Sequence, residues 1–157
     1  MLAVLAVLPA LGVVWLVAVV VRFAASDYPL GGRPEKVPCA EALGFGGAKL
    51  PDGAYDTACT GQAWLDTDYV ARFRMPRDGV RDWLKTTYPD APEPKTRFCG
   101  PDSVDLCLNL GFEQGAGDYA GRVPGRSDPG FGAYAVDIDV TYEGPDRALV
   151  RFSAFTT

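Results

Sequence analysis

Histidine is absent from the 157-residue chain, and asparagine occurs once. Without histidine, the Ser-His-Asp and Cys-His arrangements of nucleophilic catalysis cannot be built. Histidine-ligated metal sites are excluded for the same reason. No Cys-x-x-Cys occurs, which removes dithiol redox chemistry and the usual zinc spacing. The four serines, Ser26, Ser103, Ser127 and Ser153, lie in neither Ser-x-x-Lys nor Gly-x-Ser-x-Gly.

Clusters of basic residues are also lacking. Against 20 Asp and Glu stand 15 Lys and Arg, a net charge of −5. Nucleic-acid binding rests on neutralising phosphates with Lys and Arg, so this composition disfavours it. The segment Gly121-Arg122-Val123-Pro124-Gly125-Arg126-Ser127 superficially suggests a phosphate loop. It lacks the lysine, the spacing and a following helix pattern. No catalytic residue, cofactor or metal is indicated by any of these patterns.

What the chain does have begins with Leu2–Val21. These 20 residues carry no charge and, apart from Pro9 and Gly12, are Leu, Val, Ala and Trp. At about 1.5 Å per helical residue they would span about 30 Å, a bilayer's hydrocarbon core. The expectation is a transmembrane signal anchor over residues 1–22, with residues 2–21 in contact with lipid. A cleaved secretory signal is the rival reading, with Ala24-Ala25-Ser26 as the best cleavage candidate.

Arg22, Arg33 and Lys36 follow the apolar run, which by the positive-inside rule would hold the remainder in the cytoplasm. The cysteines oppose this. Cys39, Cys59, Cys99 and Cys107 all lie beyond the apolar run, and an even count in that setting reads as two disulfides. Four cysteines allow three pairings. Cys39–Cys59 with Cys99–Cys107 is favoured because it closes small loops, and a zinc site or buried free thiols are the alternatives. The resulting expectation is a single-pass protein of the cell membrane with an extracytoplasmic C-terminal domain.

Residues 23–38, with Pro29, Gly31, Gly32, Pro34 and Pro38, read as a linker. Residues 39–157 read as the domain. Its first part, Cys39 to Cys59, reads as irregular. Asp68 to Met75 alternates apolar and charged residues, the period of a half-buried strand. Val80, Trp83, Leu84 and Tyr88 have helical spacing, with Asp78 as the expected N-cap and Pro89 as the stop. Ser103 to Phe112 reads as a strand. Ala133 to Tyr142 and Arg147 to Phe155 form a hairpin around Glu143-Gly144-Pro145-Asp146. The expected fold class is therefore α+β: the transmembrane helix, then a two-layer domain of about four antiparallel strands with one packed helix.

Asp137 and Asp139 would project from one strand face, about 7 Å apart. That spacing could serve a paired-carboxylate hydrolase, a Ca²⁺ site, or simply an exposed face offset by Arg147 and Arg151. Glu113 to Gly132 is a glycine-rich stretch, and its Tyr119 and Phe131 are candidate partner contacts along with Asp137 and Asp139. The function expected is non-enzymatic: an envelope domain binding an unknown protein or cell-wall partner. Alternatives are a carboxylate-dependent glycan hydrolase and a cytoplasm-facing accessory subunit of a membrane complex.

Overall fold

The computed structural model describes residues 12–21, 32–99, 104–111 and 129–156. The chain divides into two compact units, Met1–Arg33 and Pro34–Thr157.

In the first unit, residues 12–21 are helical. Among the described residues, no helix is long and apolar enough to cross a membrane. This overturns the expected transmembrane helix and the single-pass membrane localisation built on it. Hydrophobicity alone does not make a span. A continuous apolar helix of about 20 residues is also required.

The described residues of the second unit hold six strands: β1 Glu35–Lys36, β2 Tyr55–Ala63, β3 Thr67–Pro76, β4 Leu106–Gly111, β5 Ala135–Tyr142 and β6 Arg147–Phe155. They form one antiparallel sheet in the order β1-β2-β3-β6-β5-β4. Two short helices, α1 Cys39–Phe45 and α2 Val80–Thr87, accompany it. The expected four-strand, one-helix α+β class is thus corrected to a six-stranded antiparallel sheet with few helices. The extra elements are β1, within the expected linker, α1, within the stretch read as irregular, and β2, which starts in that stretch and runs past its end at Cys59 to Ala63. Only Cys59 of β2 is fully buried, so the strand shows none of the two-residue alternation by which strands are read.

Register explains which face is the core. Phe73 lies opposite Val150, and Val150 opposite Val140. One row over, Ala71, Phe152, Ile138 and Leu108 align across four strands. All seven are buried. Alternate residues point to the same face, so these rows form one continuous apolar layer.

Helix α2 lays Val80, Trp83 and Leu84 into that core. Its N-cap is Gly79 rather than Asp78, with no side-chain cap bond. Packing, not capping, must therefore hold this eight-residue helix, which is too short to persist alone. Trp83 meets Phe73 edge to face, with centroids 5.5 Å apart, and its indole N–H donates to the Lys49 carbonyl at 2.9 Å. The Tyr88 hydroxyl donates to the Gly46 carbonyl at 2.7 Å, and burial pushes its phenol well above the ordinary range.

Helix α1 buries Ala42 and Leu43 and is tied to β2 by the Cys39–Cys59 disulfide. Cys99–Cys107 pairs a second time. It holds the segment at Lys95 against β4, where Lys95 and Cys107 exchange backbone hydrogen bonds of 2.8 and 2.9 Å. No described cysteine is free.

Candidate binding surface

The sheet face opposite the core is polar. Asp137, Ser153 and Val70 align across three strands, and so do Asp139, Arg151 and Arg72. Asp139 therefore faces Arg151, as the alternation of the hairpin implies, whereas Arg147 instead pairs with Glu143 at 3.6 Å. Asn109 lies opposite Asp137 and donates to its Oδ1 at 2.7 Å. Ser153 donates to Asp68 at 3.2 Å.

Arg74 carries a two-bond contact to Glu143, at 2.7 and 2.9 Å, and a third to Asp56 at 3.2 Å. Hydrogen bonding to Arg74 holds the Glu143 carboxyl below its usual range. A group depressed in this way contributes stability above its unfolded pKa and loses it as acid protonates the folded form.

Asp139 behaves in the opposite sense. Burial raises its pKa, the neighbouring Asp137 raises it further, and Arg151 opposes both. The folded protein thus holds this proton to higher pH than the unfolded chain. The contribution to stability is unfavourable and sets in as pH rises through the unfolded value. In a carboxyl-detected NMR titration, Asp139 is expected to titrate above the ordinary aspartate range, and Asp137→Asn to bring it down. An unchanged Asp139 titration in that variant would show that the two carboxylates do not interact.

A different surface lies at the end of the sheet where β2 turns into β3. Trp64 and Leu65 form the hairpin tip and are 54% and 81% exposed. Thr67, next to the tip, exchanges hydrogen bonds with Thr156. Tyr134 donates its backbone N–H to Phe155 and is 48% exposed. The sheet thereby brings Trp64, Leu65 and Tyr134 to one end. In sequence Trp64 and Leu65 read as a possible early start of the strand at Asp68, and Tyr134 as part of the apolar face of the last hairpin, so none of the three stands out as a contact. The signal available was two large apolar residues, Trp64 and Leu65, flanked by Asp66 and Asp68. Phe98, beside the second disulfide, is also fully exposed.

The four expected partner contacts separate. Phe131 packs against the core, next to Gly132 and Ala133, whose N–H groups both reach the Phe45 carbonyl. Asp137 and Asp139 lie on the open sheet face. Tyr119 lies outside the described residues, as does most of the glycine-rich stretch.

A cavity of about 200 Å³ sits on the core side of β4. Leu84, Tyr88, Ala91, Pro92, Pro94 and Leu108 help to line it, with Arg81, Lys85, Asp82 and Glu93 contributing opposite charges. Neither Asp137 nor Asp139 reaches it. Among the described residues, no group of three or more His, Cys, Asp or Glu could hold a metal ion. Compared with family models, curated proteins and solved structures, the chain matches none.

Proposed function

We propose that the domain is a non-enzymatic recognition module, stapled by two disulfides, that binds a protein or cell-wall partner. One observation carries this reading: Trp64 and Leu65 stand out at a hairpin tip, at the end of the sheet that also carries the exposed Tyr134, instead of joining the core. Large aromatic and aliphatic side chains held in water on a rigid scaffold are what contact hot spots are made of. The disulfides support work in an oxidising compartment, which speaks against a cytoplasm-facing accessory subunit.

The glycan-hydrolase alternative has less support. Its carboxylates, Asp137 and Asp139, stand on an open sheet face, one engaged by Asn109 and the other opposite Arg151.

The double variant Trp64→Ala, Leu65→Ser tests the reading. Both side chains are exposed, so stability should change by less than about 0.5 kcal/mol. Retention on purified cell-wall material, or affinity for a protein partner, should fall about tenfold, the equivalent of one hot-spot side chain. Unchanged binding by this folded variant would remove the hairpin tip from the interface.

A further inference from the structure

The two edges of the sheet are finished differently. On β2, β1 covers Thr60 and Gly61, and Val37 donates to the Cys59 carbonyl. Beyond that the ladder is shifted between Tyr55 and Ala58, with Asp56 at φ 50°. Bulges and charges of this kind keep an edge from pairing with other chains.

β4 has less protection. Lys95 pairs with Cys107, and the segment before it then turns away, with Pro94 and Pro92 unable to donate to a ladder. In an antiparallel pair, residues alternate between bonding one neighbour and the other. Since Cys107 bonds outward to Lys95, Asn109 and Gly111 also point their N–H and C=O groups outward. Among the described residues these groups have no backbone partner. The strand itself, Leu-Cys-Leu-Asn-Leu-Gly, carries no charge and no proline.

We propose that this edge, from Asn109 to Gly111, accepts an extended peptide segment of a partner protein with alternating basic and apolar side chains. The proposal rests on the recognition reading above and names the kind of partner. The backbone groups ask for another backbone, because an extended peptide satisfies donors and acceptors at two-residue spacing. Residues of the peptide that bond Asn109 and Gly111 put their side chains on the open sheet face, which near this edge carries Asp137 and Asp139. Strands lie about 4.8 Å apart, so a lysine or arginine there reaches over Asn109 to the carboxylates. The intervening peptide residue, opposite Leu110, faces the core side, where the cavity beside Leu108 has room for an aliphatic side chain.

The probe is a blocked hexapeptide of alternating lysine and valine, followed by amide NMR on the intact, oxidised chain. In the proposed register the lysine N–H groups point at β4 and the valine N–H groups point away. Saturable shifts are expected at Asn109 and Gly111. Methylating the lysine backbone nitrogens should weaken binding about tenfold or more, because each lost backbone bond matters at a desolvated edge. Methylating the valine nitrogens instead should leave it nearly unchanged, and replacing lysine by glutamate should abolish it. Equal binding of the two methylated isomers overturns the proposal, as does the absence of any saturable shift. Shifts confined to Trp64 and Tyr134 also overturn it, while leaving the recognition surface at the hairpin tip standing.

Discussion

Replacing Phe152 by alanine should lower the unfolding free energy by about 3–5 kcal/mol. Phe152 is fully buried and lies opposite Ala71 on one side and Ile138 on the other, in the middle of the sheet. Residues from outside the sheet close over it. A Cβ added at Gly46 would stand 2.6 Å from the Phe152 ring, 2.8 Å from Val136 and 3.0 Å from the Ala154 Cβ. None of these neighbours is the free end of a flexible chain, so the ring cannot yield easily. Gly46→Ala should therefore cost about 1–3 kcal/mol through overpacking.

The two effects share one space and should not add. In the double variant Gly46→Ala, Phe152→Leu, the smaller side chain makes room for the new methyl, and the combined loss should fall below the sum. Denaturant unfolding of the oxidised protein measures all of this as a midpoint shift at constant slope. Additive losses would mean that the segment after α1 does not rest on the ring.

The disulfides give the second large effect. Cys39 and Cys59 are 20 residues apart, and Cys99 and Cys107 are 8 apart. In the chain-entropy description, loops of these sizes correspond to about 3 and about 2.5 kcal/mol. Cys39→Ser, Cys59→Ser should exceed its entropic share, because Cys59 is buried against the core and serine brings a hydroxyl there. Cys99→Ser, Cys107→Ser should exceed its share too, because Cys107 is buried at 2% exposure and takes a hydroxyl in the same way. Against a typical total stability of about 5–15 kcal/mol, full reduction would leave the domain marginal. Unfolding with and without reductant measures the sum. Alkylation of the native, unreduced protein supplies the check: no sulfur should label. Labelling of all four would remove both pairs and the argument for an oxidising compartment.

Much of the sheet could be read from residue order. Strands β3 and β5 alternate because each has one face in the core and one more open to water, and β6 does so except at Leu149, which is buried on the other face. Helix α2 shows its apolar stripe for the same reason. β2 could not be read, since most of its side chains are exposed and only Cys59 is buried, which leaves no alternation to detect. Asp78 looked like a cap, yet the helix starts one residue later, with the apolar Val80, Trp83 and Leu84 setting its placement. The composition of the apolar run at the start of the chain suits a span, but among the described residues no helix is long and apolar enough to make one.

The candidate surfaces were the least legible part. Asp137 and Asp139 were visible as a pair, and their neighbours were not, because Asn109 is 28 residues from Asp137 in sequence. Trp64, Leu65 and Tyr134 come to the same end of the sheet only through the pairing of β3 with β6 and of β6 with β5.

Composition by itself determined which chemistries are closed to this protein, since a side chain that is missing cannot be supplied by folding. Local periodicity determined the faces of the central strands and of the helix, because burial on one side leaves a two- or 3.6-residue trace. The tertiary structure alone decided strand order, the covered and uncovered edges, and which exposed residues are neighbours. Those depend on contacts between segments far apart in the chain, where neither spacing nor propensity leaves a mark.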